Sequence, residues 1–211
     1  MSKALLFFAS LCALFLFSCA DSTPDLAEVQ PSLVLNYKND DSLPESSLSI
    51  FVRTTSEAAR VESILLESRN DGLCWLIENP KTLFANGEQF AYGKGIFPRE
   101  GFSFSQGIYD LTYTDSAGNS VKTEFEFSYE KSLLNANLSK VQEMILDSTE
   151  FLALYDASQQ LIFLGKSKWE TDDDIQKSQT TAESRRKVVF SKENRVICLF
   201  PLEKIHKNKT E

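Results

Sequence analysis

A stretch of strict polar and apolar alternation between residues 107 and 129 constrains the fold more than any other part of the sequence. Successive side chains of a strand point to opposite faces, so a period of two predicts strands with one buried face and one wet face. The segment Asp115–Asn119, with the sequence Asp-Ser-Ala-Gly-Asn, interrupts the period with turn-forming residues. The predicted buried face carries Tyr109, Leu111, Tyr113, Val121, Thr123, Phe125, Phe127 and Tyr129. The sequence therefore predicts an antiparallel hairpin that covers a hydrophobic core.

Further segments of strand length precede this hairpin. Apolar runs lie near residues 32, 47, 61, 73 and 102, and Asn70-Asp71-Gly72 between two of them is a strong hairpin signal. The stretch Asn79–Gly101 is rich in Gly and Pro and is predicted to be a loop. With the hairpin, the count is about seven strands, as an antiparallel β-sandwich requires. The sequence thus predicts a mainly β fold, with the sandwich over residues 32–130.

The hairpin also carries a resemblance to a known architecture. Gly107-Ile108-Tyr109 opens its first strand and a turn of the Asp-x-x-Gly-Asn type precedes its second strand. These features resemble the closing hairpin of extracellular immunoglobulin-like and fibronectin-like sandwiches. The resemblance implies that Tyr109 is the counterpart of their tyrosine corner. The Cys…Trp…Cys spacing of true immunoglobulin domains does not occur, so the resemblance concerns architecture.

The periodicity changes after residue 130. Leu134, Leu138, Val141 and Ile145 recur at helical spacing. A hairpin is predicted over residues 151–164, and a last hairpin over residues 188–200. Between them, Thr171 and Asp174 form a capping-box pattern for a helix that we expect to end at Arg185-Arg186-Lys187. Residues 131–211 are thus predicted to form a small α+β module, helix-hairpin-helix-hairpin, with a loose C-terminal tail; it packs on the sandwich or stands alone.

The N-terminal residues have the layout of an export signal. Lys3 is followed by an apolar run, residues 4–17, which is short for a membrane span. The run leads into Leu16-Phe17-Ser18-Cys19, which resembles the lipobox of bacterial lipoproteins. The resemblance implies that residues 1–18 are a signal peptide, that the bond between Ser18 and Cys19 is cut, and that Cys19 is lipidated. A plain secretory signal and an uncleaved anchor are the alternatives.

This resemblance also implies a location. A lipidated chain would be held to a membrane of the bacterial cell envelope, outside the cytoplasm, by its N-terminal lipid. The polar residues 19–31, which include Pro24 and Pro31, are predicted to be a tether between the lipid and the folded part.

The charge excludes one class of partner. The chain has 22 basic and 30 acidic residues, for a net charge of −8. Nucleic-acid binding needs clustered Lys and Arg, so no nucleic acid is expected as a partner. Anionic headgroups would also be repelled, so that membrane attachment would depend on the lipid.

Cys74 and Cys198 remain after the signal region is set aside. Both lie in apolar runs, and an exported protein can retain a disulfide, so the sequence allows a Cys74–Cys198 bond or two buried thiols. A catalytic thiol would need a nearby base, and the only histidine is His206, in a polar segment. No catalytic motif is found. The acidic run 172–174 is typical of a helix N-terminus, so no metal is expected there. No cofactor is expected either.

Aromatic residues supply the candidate binding surface. Tyr92, Phe97 and Phe102 lie in and after the Gly/Pro-rich stretch, and Trp75 is a candidate neighbour. Such residues bind a protein or glycan ligand of the envelope, or they fill the end of a sandwich. The favoured function is a non-catalytic binding or envelope-assembly role. The alternatives are a hydrolase or glycan-acting enzyme that uses carboxylates such as Glu100 or Asp110, and a purely structural spacer.

Overall fold

A computed structural model of the chain describes residues 24–54, 58–85, 88–145 and 147–206. The protein is mainly β, and its sheets pack in a sandwich-like arrangement, as the alternation predicted. The predicted signal peptide, with Ser18 and Cys19, lies outside the described residues. The strands in chain order are β1 (Leu26–Asn36), β2 (Glu45–Thr54), β3 (Val61–Ser68), β4 (Cys74–Glu78), β5 (Lys81–Ala85), β6 (Glu88–Ile96), β7 (Gly107–Asp115), β8 (Ser120–Phe127), β9 (Thr149–Tyr155), β10 (Leu161–Gly165), β11 (Ser184–Phe190), β12 (Val196–Leu199) and β13 (Glu203–Lys204).

The smaller sheet has the strand order β4-β3-β7-β8 and is antiparallel throughout. Its β7–β8 hairpin is the one that the alternation predicted, and Tyr113 pairs with Val121 next to the turn. Asp115 Oδ1 accepts hydrogen bonds from the backbone N–H groups of Ala117 and Asn119, each at 2.9 Å. Gly118 has a φ of +82°, a left-handed conformation that costs glycine little. The turn residues thus fix the register of the hairpin.

The larger sheet joins both ends of the described chain. Its order is β10-β9-β11-β12-β1-β2-β6-β5, with β13 paired to β11. β1 pairs antiparallel with β2 and parallel with β12, with Leu33 opposite Val196. The strands of residues 149–204 therefore extend the sheet that β1, β2 and β6 begin.

The main core lies between the inner faces of the two sheets. Leu33, Leu35 and Ile50 of the larger sheet and Ile64 and Leu111 of the smaller one are all fully buried. The alternating side chains of each strand thus reach the same apolar interior, which is the main source of folding free energy in such a sandwich.

Two short helices lie among the later strands. Helix α1 (Leu138–Met144) begins at Asn137, whose side chain accepts from Lys140 N, and it buries Leu138 and Val141. A 3₁₀ turn over Lys131–Asn135 precedes it. Helix α2 (Asp172–Ser178) begins at Thr171, whose hydroxyl accepts from Asp174 N at 3.2 Å, and this confirms the predicted helix start.

The predicted end of this second helix is wrong. Helix α2 ends at Ser178, and Arg185–Lys187 belongs to β11. In β11, Ser184 and Val188 are buried and every residue from Ser184 to Phe190 pairs with β9. Tertiary pairing therefore outweighs the helical reading of the basic residues.

Three other expectations also need correction. The predicted tether includes residues 26–31, which form the first part of β1. The predicted loop Asn79–Gly101 contains β5 and β6. Gly93 lies inside β6. A Cβ at this position would come within 2.6 Å of Ile77 Cδ1, so the glycine is explained by close packing and does not indicate a loop. In the tail, Glu203–Lys204 pairs with β11 and Ile205 is buried, while residues 207–211 lie outside the described residues.

Cys74 and Cys198 are not joined by a disulfide in this structure. Both are free thiols, and Cys74 is exposed on β4 while Cys198 is buried on β12. The alternative of two buried thiols therefore holds for Cys198 and not for Cys74. Burial raises the pKa of the Cys198 thiol to about 12.

In the described part of the chain, no helix combines the length and the apolar character needed to cross a bilayer.

Candidate functional site

The aromatic loop, which we define as residues 97–106, joins β6 to β7 and presents two exposed aromatic rings. Phe97 is 52% exposed and Phe102 is 65% exposed. The guanidinium carbon of Arg99 lies 5.3 Å from the centroid of the Phe102 ring, a cation–π geometry. The loop therefore offers an apolar surface with a positive charge beside it.

Trp75 contacts both the aromatic loop and the rings of the core. Its indole N–H donates to the backbone carbonyl of Phe97 at 2.9 Å. Its ring packs at 5.8 Å from the Phe104 ring and 6.3 Å from the Tyr109 ring, measured between centroids. Phe104 is buried in the main core. Trp75 thus links the exposed Phe97 to the core, and its half-buried ring is mainly a support.

Three hydrogen bonds fix the C-terminal half of the aromatic loop. The Tyr109 hydroxyl donates to Ser105 O and the Tyr129 hydroxyl donates to Phe104 O, each at 2.7 Å. Gln106 Nε2 donates to Tyr129 O, also at 2.7 Å. Burial raises the pKa of Tyr109 to about 12, so this donor keeps its proton at neutral pH. The loop is therefore anchored on β7 and on the segment that follows β8.

Tyr92 lies on a different surface. It is opposite Phe51 on β2, and the two rings stack with centroids 4.9 Å apart. Its neighbour Ala91 is buried in the main core, so the Tyr92 side chain points to the other face of the larger sheet. Burial raises the pKa of Tyr92 to about 12. Among the four predicted binding residues, the structure brings together Trp75, Phe97 and Phe102 on or beneath the aromatic loop.

The enzyme alternative named Glu100 and Asp110. Glu100 is exposed on the aromatic loop, and Asp110 is part of an ion-pair network. Asp110 receives Arg69 Nε at 2.9 Å, and Glu124 receives Arg69 Nη2 at 2.7 Å. The Arg69 hydrogen bond lowers the pKa of Asp110, whereas a glycosidase general acid needs a raised pKa. The geometry of Asp110 therefore favours a structural role on the wet face of the smaller sheet.

The structure reveals a second candidate site that the sequence did not predict. The basic cleft has a volume of about 530 Å³ and lies where β1 and β12 end beside the start of β11. Its walls are Lys38, Asn39, Asp40, Leu152, Ser167, Trp169, Ile175, Arg185, Arg186, Lys187, Phe200, Pro201 and Glu203. Four cationic residues therefore line one cleft of an acidic protein. Arg186 lies between Arg185 and Lys187 on β11, so its side chain points to the opposite face of the larger sheet from theirs.

Two of these cations are held by carboxylates. Arg185 Nη1 lies 2.7 Å from Asp172 Oδ1, and its Nε lies 3.1 Å from Glu203 Oε2. Lys187 Nζ lies 2.5 Å from Glu150 Oε1 and 4.8 Å from the centroid of the Phe200 ring. These contacts give the walls of the cleft a defined geometry.

Arg186 is bound differently. Its Nη2 donates to Asn36 Oδ1 at 3.0 Å, and its buried Nε has no hydrogen-bond partner among the described residues. The sequence signal for this site was the run Arg185-Arg186-Lys187 itself, a concentration of positive charge in a chain of net charge −8. Because the run was interpreted as the end of a helix, it was not recognised as part of a site. Lys38 and Phe200 approach these residues only when β11 lies in the larger sheet.

The described residues contain no group of three or more His, Cys, Asp or Glu side chains that could hold a metal ion. Comparisons with protein-family models, curated proteins and solved structures gave no match to this chain.

Proposed function

We propose that this protein is a lipid-anchored component of the bacterial cell envelope with a non-catalytic binding or assembly role, and that the aromatic loop is its contact surface. The observation that carries the proposal is the exposure of Phe97 and Phe102 on a loop whose base is hydrogen-bonded to the sandwich. The partner is a protein or glycan of the envelope.

The energetics of the loop support a contact role. Burial of one Phe side chain contributes about 1.5–3 kcal/mol, so two exposed rings retain a substantial binding free energy. Aromatic and Arg side chains are enriched among the residues that dominate interface energetics, and Arg99 lies beside Phe102. Since Trp75 holds the Phe97 carbonyl, less conformational entropy is lost when a partner binds.

The membrane attachment in this proposal depends on the lipobox resemblance. Cleavage between Ser18 and Cys19 would leave Cys19 as the lipidated first residue, because the enzymes that act on a lipobox require its cysteine. The intact mass of the detergent-extracted product tests this directly beside a Cys19→Ala variant. We expect a mass that lacks residues 1–18 and includes acyl chains, and we expect the variant to lose both changes. An uncut or unlipidated wild-type product would exclude the anchor.

The finer description of the fold belongs to the same proposal. The Tyr109 hydroxyl bonds to a backbone carbonyl a few residues upstream, as the tyrosine corner of immunoglobulin-like sandwiches does. This contact supports an immunoglobulin-like sandwich over residues 32–130. Residues 131–211 would then be an α+β module attached to it, whose strands extend the larger sheet.

Paired substitutions test the aromatic loop. We expect the double variant Phe97→Ser with Phe102→Ser to lose the capture of an envelope component that the wild-type protein binds, because the apolar contact is lost. Leu43→Ser is the matched control, since Leu43 is 59% exposed and lies outside the aromatic loop. Trp75 is left unchanged because it packs on the core.

Captured components are compared by quantitative mass spectrometry after crosslinking in the intact envelope, with thermal unfolding as the check on folding. If the doubly substituted protein is folded and still captures the same components as the wild type and Leu43→Ser, the aromatic loop is not the contact surface.

A further inference from the structure

We propose that the free edge of β4 pairs with the same edge of a second copy of this chain, so that the two smaller sheets become one continuous sheet. β4 is an end strand of the smaller sheet, and among the described residues it pairs only with β3. The inference does not rest on the proposed contact role of the aromatic loop. Three properties of β4 support it: its free backbone groups, its lack of edge protection and its self-complementary side chains.

The ladder between β3 and β4 shows which backbone groups of β4 are already used. Leu73 O accepts from Ser68 N just before β4, and Asn79 N donates to Glu62 O just after it, each at 2.9 Å. In an antiparallel pair, the residues that exchange hydrogen bonds with the neighbouring strand alternate with residues that do not. The odd-numbered residues of this segment therefore bond to β3.

The even-numbered residues form the free edge, which we define as Cys74, Leu76 and Glu78. Their backbone N–H and C=O groups point away from β3 and make no hydrogen bond to any described residue. Alternating donors and acceptors along a strand are complementary to another extended polypeptide backbone. The chemistry of the free edge thus calls for a β-strand as its partner.

β4 also lacks the features that protect most edge strands. Its register with β3 is regular and contains no bulge. The free edge carries one charged residue, whereas β8, at the other end of the same sheet, has Lys122, Glu124 and Glu126 at its outward-facing positions. Charged residues and bulges are common means of preventing edge-to-edge pairing. The smaller sheet therefore has one protected edge and one open edge.

The free edge is complementary to itself. When two copies pair antiparallel about a two-fold axis at Leu76, this residue lies opposite Leu76 of the second copy, and Cys74 lies opposite Glu78. No other antiparallel register gives every free N–H and C=O group of the edge a partner. No like charges meet, and the Leu76 side chain, which is 59% exposed, packs against its counterpart.

Sedimentation equilibrium of the full chain, in detergent of matched density, tests the association. One short strand from each copy buries less than the roughly 1,200 Å² of a stable interface, so we expect a reversible dimer whose fraction rises with concentration. Leu76→Lys should weaken the dimer at least about tenfold, because two like charges then meet at the axis. Leu43→Lys is the matched control, since Leu43 is also 59% exposed and lies outside β4.

Oxidative crosslinking tests the register. Cys74 lies opposite position 78 of the second copy at a Cα separation of about 5.5 Å, within disulfide range. Glu78→Cys should therefore give a covalent dimer in which peptide mass mapping finds a bond between positions 74 and 78. The two Cys74 residues lie about 14 Å apart, so the wild type should form no bond between them. Glu126→Cys, at an exposed position of β8, should form none with Cys74.

Several results would overturn the proposal. One is a monomer at every concentration, and another is a dimer that is equally stable in Leu76→Lys and Leu43→Lys. Absence of the bond between positions 74 and 78 in the oxidised variant would exclude the register. Protection of the Leu76 amide from hydrogen exchange in the intact envelope, but not in the concentrated purified chain, would assign the free edge to a different protein.

Discussion

The hydroxyl of Tyr37 provides a direct test of how the later segments are attached to the sandwich. Tyr37 follows β1 and is fully buried, and its hydroxyl donates to the carbonyl of Ala136 at 3.0 Å. Ala136 lies just before helix α1 and is itself buried. In Tyr37→Phe the ring still fills its site, but the carbonyl loses its partner.

The expected loss follows from this geometry. A buried acceptor left without a partner costs about 1–3 kcal/mol in free energy of unfolding. In a protein of this size, 1 kcal/mol corresponds to about 2–4 °C in Tm, so we expect a decrease of about 2–12 °C. Urea unfolding followed by circular dichroism measures the free energy, and calorimetry measures the Tm.

Tyr155→Phe is the matched control for this experiment. Tyr155 is partly buried, and its hydroxyl makes no hydrogen bond to any described residue. Its removal should change the free energy of unfolding by less than about 0.5 kcal/mol. If Tyr37→Phe were as stable as Tyr155→Phe, the hydrogen bond to Ala136 would not hold the segment before α1 on the sandwich, and the reasoning would be refuted.

The remaining predictions concern thiols, pH and a helix cap. Cys74→Ser should remove one thiol that reacts rapidly with a disulfide reagent in the native protein, whereas Cys198→Ser should remove one that reacts only after denaturation; equal native reaction rates for both thiols would contradict the burial of Cys198. Burial raises the pKa of Cys198 from its ordinary 9.0 to about 12, so the folded state holds this proton more tightly than the unfolded chain. The resulting stability is present below pH 9 and is lost as the pH rises towards 12, and Cys198→Ala should flatten that part of a stability profile. Thr171→Ala should cost about 1 kcal/mol by removing the cap of helix α2, while Thr171→Ser should retain it; equal Tm values for the two variants would argue against the cap.

The sequence predicted those parts of the fold that local rules determine. Alternation over residues 107–129 was sufficient for the β7–β8 hairpin, because one face meets the core and Asp115–Asn119 supplies the turn. The capping pattern at Thr171 was sufficient for the start of helix α2. In both segments, propensity and tertiary contacts favour the same structure.

The sequence failed where distant contacts decide. The basic run Arg185–Lys187 suits a helix end by itself, but β9 and β12 recruit it into the larger sheet. Gly93 suggested a loop, although its missing side chain makes room for Ile77.

The two candidate sites also differ in how far the sequence predicted them. The sequence singled out Phe97 and Phe102 as candidate binding residues but left open whether they fill the end of the sandwich. The structure exposes both rings, and it places Trp75, which was named as a candidate neighbour, against Phe97. For the basic cleft the sequence offered only the run Arg185-Arg186-Lys187 as a signal. It could not place Lys38 near that run, because the two are distant in sequence and only the pairing of β1, β12 and β11 brings them to one cleft.

The parallel pairing of β1 with β12 has a consequence for the order of folding. Leu33 is paired with Val196, about 160 residues later in the chain, and closing so long a loop must precede any gain from the pairing. During synthesis the chain therefore presents β1 with one open edge until the last strands are made. An open edge can pair with other chains, so this protein should depend on protection of β1 during that interval.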